Sequence, residues 1–557
     1  MVLLSSYAAK RCPRRVHNEW DPTIPTVEWA PPAEIQMRLD AGQEFEDEAL
    51  ARLRAALRPD QYVDLREVGG RTEAVEATLA AMDAGTEVVI GGWLPDDPAG
   101  GRKGRPDLLV REAEGPGYQP GEVKGHRMAR TSKRGRLAYS TLDAPTMVVE
   151  SEGLACGKSD RIDDYLQLAH YWRMLEACGH AAAEPQGLVV GTDELPDLVP
   201  AGLDSTVLVR LDLTGALFAT YSRSRGKVKR SALERYDHEQ AFRLRVAEVA
   251  ASRTGAAEDP EPLVEPIFVE ECKSCPWFDY CLEVAGPDAP SARLITGSFS
   301  RREWLALEQA GCSSVEALAQ LDPGDEGFWR LYEPEVTHVP GAAKRLQAMV
   351  QRARMVVAGV RIERTTTGPI EVPRADVEID FDIEWAPDNR VYLWGALVRR
   401  PGAEPAYRPI VSWEPLDEQG ERRLATEFVT WLREILAEHG PSVLVYHYSP
   451  AEVSHLRRVL GADAVADLLV HFVDLHEFVR QNYVGVDGLG IKQVAPEFGF
   501  AWRDESPSGL QSQLWLGEAR DSTDPATAGQ ARRRLLEYNE DDVAATAALR
   551  EGLARER

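Results

Sequence analysis

The stretch Val377-Glu378-Ile379-Asp380-Phe381-Asp382-Ile383-Glu384-Trp385 alternates without a break: odd positions are apolar and even positions, up to Glu384, are acidic. Side chains on a strand point to opposite faces in turn, so this reads as a half-buried strand with four carboxylates on one face. Crowding four like charges costs stability unless cations sit among them. A solvated acidic face is the plain alternative, although exposed edges more often mix signs. The turn Pro387-Asp388-Asn389 leads to a second strand pattern at 391–398. Further on, a strand over 442–446 runs through His447-Tyr448-Ser449-Pro450 to Glu452, where a helix begins. A last helix is expected over 530–550. On it Tyr538 and Asp542, four apart, share a face.

This order of motifs resembles the DEDD-type 3′–5′ exonucleases of the RNase H-like fold, in their tyrosine subclass. Phe381-Asp382-Ile383-Glu384 matches the first motif and Tyr538-x-x-x-Asp542 the third. In the second motif Glu452 stands where those enzymes usually carry Asp, and Asp474 is a substitute candidate. The resemblance implies Mg²⁺ or Mn²⁺ on Asp382, Glu384, Glu452 and Asp542, with Tyr538 placing the attacking water. The expected chemistry is two-metal hydrolysis of a terminal phosphodiester.

A second carboxylate set lies near the N-terminus. Gly104-Arg105-Pro106-Asp107 opens an apolar strand, and the turn Gly115-Pro116-Gly117 returns the chain to Gly121-Glu122-Val123-Lys124. Glu122 and Lys124, two apart on a strand, face the same way. Two carboxylates suit hard Mg²⁺, and a lysine beside them can orient water or offset developing charge. Taken alone, the same residues also read as an exposed hairpin with a surface ion pair. Gln167 and Tyr171 share a face of a predicted helix, and Glu46 lies on another helix after Gly42. In this order the set resembles the RecB-like branch of the PD-(D/E)xK nucleases. The resemblance implies that Glu46, Asp107 and Glu122 hold metal, that Lys124 is catalytic, and that Gln167 and Tyr171 support the site or contact DNA. Many members of that branch carry His where Glu46 stands. Two basic runs follow: Arg127, Arg130, Lys133, Arg134 and Arg136, then Arg223, Arg225, Lys227, Lys229 and Arg230. In an acidic chain they read equally as phosphate contacts or as solvated loops.

There are seven cysteines, too few and too clustered for a secreted disulfide framework. Cys272, Cys275 and Cys281 form C-x2-C-x5-C, and Cys12 sits alone near the N-terminus. A thiolate quartet holds either zinc or an iron–sulfur cluster, and spacing leaves both open. The arrangement resembles iron–sulfur RecB-type nucleases, which implies a [4Fe–4S] cluster on Cys12, Cys272, Cys275 and Cys281 tying the ends of the domain together. Cys156, Cys178 and Cys312 read as ordinary thiols.

With 557 residues the chain has room for two to four domains, at roughly 100–200 residues each. Its expected architecture is multidomain α/β. A restriction-endonuclease-like core with an iron–sulfur staple spans 1–288, a helical linker 289–345, and an RNase H-like domain 346–557. Within the linker, two short helices around Gly311 fit a helix–hairpin–helix grip on DNA or, more simply, a plain linker. The pairing of domains resembles RecB-like nucleases with a C-terminal RNase H-like domain. A net charge of −26 argues against a general DNA-coating protein but not against a nuclease, because charge acts locally. No P-loop motif is visible, so an ATP-driven motor is not expected within the chain, and a separate helicase or a repair or defence partner is implied by resemblance alone. Neither a leader nor a membrane span is read, and a reducing cytoplasm fits the cysteines best. The sequence favours DNA over RNA as substrate without deciding it. A nucleic-acid-binding subunit with one decayed nuclease domain is the third reading.

Overall fold

The computed structural model describes residues 1–157, 161–222, 226–295, 299–337, 339–504 and 509–556. The chain divides into two units. One holds Met1–Pro31, Arg38–Pro287 and Arg330–Ala342; the other holds Pro32–Met37, Asp288–Trp329 and Ala343–Arg557. The stretch 289–345, expected as a linker, is shared between them. Among the described residues no helix is long and apolar enough to cross a membrane.

In the first unit, short apolar runs form one mixed sheet. Its strands are β1 (Tyr62–Asp64), β2 (Val88–Ile90), β3 (Leu108–Arg111), β4 (Tyr118–Val123), β5 (Ala129–Thr141), β6 (Val149–Cys156), β7 (Gln186–Glu194) and β8 (Thr206–Asp212). They lie in the order β1-β2-β3-β4-β7-β8-β5-β6. The pairs β1–β2 and β4–β7 are parallel, and the others antiparallel. A separate hairpin joins β9 (Phe218–Ser222) to β10 (Gly226–Arg230). The helices are α1 (Pro13–Trp20), α2 (Ala33–Ala56), α3 (Arg71–Asp83), α4 (Ile162–Cys178), α5 (Ala232–Ala251) and α6 (Phe278–Ala285).

Strand alternation decides what faces what. Val88, Ile90, Leu108, Val110 and Val123 pack with Leu50 and Leu53 of α2. Val89, Leu109 and Tyr118 point the other way, against Tyr171, Met174 and Leu175 of α4. Glu122, between Gly121 and Val123, therefore turns toward α4. That helix ends at Gly179, whose φ of 79° is a left-handed cap that glycine adopts without strain.

In the second unit, α7 (Pro290–Arg293), α8 (Arg301–Gln309), α9 (Val315–Gln320), α10 (Glu326–Val336) and α11 (Ala342–Ala358) follow in order, α10 and α11 reaching into the segment 330–342. Gly311, with φ of 90°, makes the turn between α8 and α9, as the pattern predicted. Strands β11 (Ile362–Arg364), β12 (Val377–Trp385), β13 (Val391–Arg399), β14 (Ala406–Val411), β15 (Val443–His447), β16 (Phe472–Asp474) and β17 (Tyr483–Gly485) then alternate with helices α12 (Glu418–His439), α13 (Ala451–Leu460), α14 (Ala462–Leu469), α15 (Leu475–Asn482), α16 (Ile491–Val494), α17 (Gly509–Asp521) and α18 (Pro525–Arg555). Five strands form a sheet in the order β14-β13-β12-β15-β16, antiparallel through β14-β13-β12 and parallel through β12-β15-β16.

The odd residues of β12, Val377 to Ile383, pack with Phe428, Leu432, Leu456 and Val465 of the helices α12 to α14. The acidic face was expected to be the open side of a half-buried strand. Instead β12 is buried along most of its length on both faces, with α18 packed across it. α18 also runs five residues beyond each end of the expected helix, 530–550.

Candidate active site

Asp382 and Glu384 from β12 and Asp542 from α18 each present an oxygen, and the three oxygens lie within 4.8 Å of one another. Burial, compounded by mutual repulsion, lifts Asp382 well above the usual carboxylate range and Glu384 to about 8. Burial raises Asp542 as well, against the pull of Lys492. The donor set is hard oxygen, and its charge is only partly answered, so a divalent cation fits it.

Neighbours fix each carboxylate. Ser512 Oγ donates to Glu384 Oε2 at 2.8 Å, and Asn539 Nδ2 to Asp382 Oδ2 at 2.8 Å. The Tyr407 hydroxyl orients Asn539 by donating to its Oδ1 at 2.7 Å. Gly395 lies opposite Asp382 on β13, and a Cβ there would fall 1.6 Å from Asn539 Oδ1, so glycine is what admits α18 so closely. Trp502 Nε1 donates to Asp542 Oδ1 at 2.7 Å, and the Lys492 ammonium pairs with the same oxygen. Burial and then Asp542 push the Tyr538 phenol well up, so it stays protonated and hydrogen-bonded to Asp542.

Glu452 stands apart. Its carboxylate accepts from Ser449 Oγ at 3.0 Å and lies 3.5 Å from His447 Nδ1. Asp382 feels its charge, but it is not one of the three converging groups. Asp474 caps α15, accepting the His476 N–H at 2.9 Å. The other two acids of β12 belong to structure. Asp380 takes a two-pronged guanidinium contact from Arg550, Nε to Oδ1 at 3.1 Å and Nη2 to Oδ2 at 2.9 Å. Arg550 and Arg374 both pair with Glu378. Next to Glu384, Trp385 is exposed and stacks on His455 with centroids 5.3 Å apart.

The first unit gathers a second set. Asp107 Oδ2 accepts the Val123 N–H at 2.8 Å, which brings it beside Glu122. Lys124 Nζ donates to Glu122 Oε2 at 2.8 Å, and Gln167 Nε2 to the same oxygen at 2.7 Å. Glu122 Oε1 is buried and has no hydrogen-bond partner among the described residues. Burial and Asp107 push Glu122 to about 8, and burial raises Asp107 too. An orphaned carboxylate oxygen among raised carboxyls fits a cation. Glu46, half-buried on α2, is raised by burial and then by Asp107, so it lies within electrostatic reach of it. The Tyr171 hydroxyl donates to the Arg105 carbonyl at 3.1 Å, in the loop that leads to Asp107.

The four cysteines of the quartet lie within electrostatic reach of one another, but among the described residues their sulfurs do not form a converged ligand group as the carboxylate triad does. Cys12 caps α1, Cys272 lies on the turn Glu270–Ser274 with Cys275 just after it, and Cys281 lies on α6. Burial raises the Cys275 and Cys281 thiols, and Cys12 adds to both. Asn18 Nδ2 and the Val269 N–H each point at a sulfur, Cys281 and Cys272, at 3.5 Å. Arg127, Arg130, Lys133, Arg134 and Arg136 are exposed. The segment 129–136 pairs with β6, while β8 pairs only with Tyr139–Thr141, so Arg130 to Arg136 ride a two-stranded arm. Lys227 and Lys229 are exposed on β10; Arg223 and Arg225 lie outside the described residues.

A family model described as the RNase H superfamily matches residues 379–554. That span runs from β12 to α18 and contains the triad, so this part of the chain is an RNase H-like domain, a nuclease-type fold that uses divalent metals. No curated protein and no solved structure matches the chain.

Several contacts escaped the sequence reading. Lys10 Nζ donates to Gln167 Oε1 at 2.6 Å, and Lys124 Nζ to the same oxygen at 3.2 Å. Ser6 Oγ lies 3.0 Å from the Tyr171 hydroxyl. The adjacency of Lys10 to Cys12 was the one signal available for this segment. Lys492, Trp502, Ser512 and Arg550 gave none beyond, for Arg550, its place eight residues after Asp542 on one helix face.

Proposed function

We propose that the chain is a metal-dependent nuclease with two phosphodiester-cleaving sites, acting on DNA. The observation that carries the reading is the buried triad Asp382, Glu384 and Asp542 in an RNase H-like sheet. Those three residues would hold a divalent cation, with Tyr538 orienting the water. When bound, such an ion lowers the pKa of water and offsets charge on the phosphate. Asn539 and Ser512 keep two of the carboxylates aimed, and burial keeps bulk water from competing. The motif order supports 3′–5′ exonuclease action at this site. In the first unit Asp107, Glu122 and Glu46 would take metal, Lys124 would face the phosphate, and Gln167 would set the Glu122 carboxylate. The orphaned Glu122 oxygen supports that assignment. The exposed arm bearing Arg130, Lys133, Arg134 and Arg136, with Arg127 at its base, supports phosphate contact. Cys12, Cys272, Cys275 and Cys281 would form a four-cysteine centre, a reading supported by their electrostatic proximity, and the [4Fe–4S] identity rests on resemblance alone.

The test uses protein purified anaerobically and assayed with Mg²⁺ or Mn²⁺ on end-labelled single-stranded DNA and a matched RNA. D382N is expected to end release of 3′-terminal nucleotides, E122Q to remove the remaining cuts, and the double variant to be inert. A double variant that still cuts ends the two-site reading, and RNA cut faster than DNA reverses the substrate. A brown protein with about four irons per chain supports the cluster. A colourless zinc protein that still cuts removes the cluster and leaves the nuclease.

A further inference from the structure

Lys492 is a cation in the RNase H-like site that the motifs read from the sequence do not call for. It comes from the short α16, and its ammonium pairs with Asp542 Oδ1, the oxygen that also accepts from Trp502. The Trp502 ring centroid lies 4.7 Å from Nζ and the Tyr538 centroid 4.4 Å. Two aromatic faces and one carboxylate thus bracket a cation among the metal-ligand candidates, at a side chain 23% exposed. An ordinary surface ion pair has no such bracket and gains little.

The charges can be counted. The converging carboxylates are three, and the fourth candidate, Glu452, is engaged by Ser449 and His447 instead. Three negative charges less one from Lys492 leave two, which one divalent ion balances. A second divalent ion would turn the site strongly positive before substrate arrives. We propose that the triad binds a single divalent cation and that Lys492 supplies the second positive charge, donating to a non-bridging oxygen of the scissile phosphate. The proposal rests on the nuclease reading of this site. An ammonium carries three donors, and the pairing with Asp542 needs only one. The flat faces of Trp502 and Tyr538 hold its position without taking the others. Lys492 then does by hydrogen bonding and charge what a second metal does in a two-ion site.

The experiment uses the full chain in an E122Q background, which silences the first site. Mn²⁺ binding is followed by electron paramagnetic resonance of the free ion, and the ions lost on adding D382N count those held by the triad. One ion is expected. K492M is expected to keep that ion at equal or higher affinity while 3′-end cleavage falls about a hundredfold, the usual effect of removing one transition-state donor. K492R is expected to recover much of the rate. Two Asp382-dependent ions in the parent overturn the proposal and leave the nuclease reading standing. K492M that cuts at the parental rate, or that loses the ion, overturns it too, making Lys492 a counter-ion or a prop. No Asp382-dependent ion in any chain brings down the metal reading and this proposal together.

Discussion

Replacing Glu384 by Gln should stabilise the metal-free protein while abolishing the 3′-end cleavage proposed for this site. Glu384 is buried, and burial with Asp542 moves its carboxyl from 4.5 to about 8. A folded pKa above the unfolded one means the folded state binds more protons between those two values, so stability falls as pH rises from about 4.5 to about 8. Folding with this carboxyl, largely by taking up a proton, then costs about 4 kcal/mol at pH 7.5 and under about 1 kcal/mol at pH 5. Gln keeps the shape and still accepts from Ser512, so E384Q recovers that difference. Because the chain has two units, a single unfolding transition is a poor readout. Amide hydrogen exchange in the β12 peptide, measured in EDTA, reads the opening free energy of this sheet alone. E384Q should slow exchange by the equivalent of about 4 kcal/mol at pH 7.5 and by little at pH 5. Adding Mg²⁺ should protect the wild type far more than E384Q. Exchange in E384Q as fast as in wild type at pH 7.5, or an equal gain at both pH values, would refute the claim that this carboxylate is held against its own repulsion.

Two further outcomes follow from neighbouring residues. R550M leaves Asp380 and Glu378 buried without their guanidinium, and breaking a buried pair in this way costs about 3–5 kcal/mol; β12 exchange should quicken accordingly, and a loss under about 1 kcal/mol would show that Arg374 alone suffices. W385A removes an exposed ring beside Glu384, and base stacking is worth about 1–3 kcal/mol, so KM for a single-stranded 3′ end should rise about 5- to 150-fold with little change in kcat; an unchanged KM would mean the terminal base lies elsewhere.

What the sequence made legible was local. The period-two run of β12, the shared faces of Glu122 with Lys124 and of Tyr538 with Asp542, and the turn at Gly311 all depend on residues within a few positions of one another. Backbone geometry fixes such relations before any tertiary contact forms. The residues that complete the sites come from far away. Lys10 meets Gln167 across 157 positions, Lys492 meets Asp542 across 50, and Arg550 meets Glu378 across 172. No spacing rule reaches that distance. The half-burial expected for β12 failed for the same reason: the alternation showed which face was acidic, but not that α18 would cover it and bring its own arginine.

That arginine shows how one strand can carry both structure and chemistry. The four acids of β12 are equivalent in the sequence, but the protein supplies cations to them unequally. Glu378 and Asp380 receive Arg374 and Arg550, and with Arg550 fully buried the charges there are answered from within the fold. Asp382 and Glu384, joined by Asp542, have Lys492 as their paired cation among the described residues, and burial followed by mutual repulsion raises both carboxyls, whereas burial raises Asp380, against the pull of Arg550, to about 6. The first unit repeats the pattern with Asp107 and Glu122, where Lys124 answers one oxygen of Glu122 and the other has no hydrogen-bond partner among the described residues. A buried carboxylate that the fold could pair and does not is a standing destabilisation, tolerable if something from outside completes it. By that criterion the boundary between scaffold and the proposed active site on β12 falls between Asp380 and Asp382.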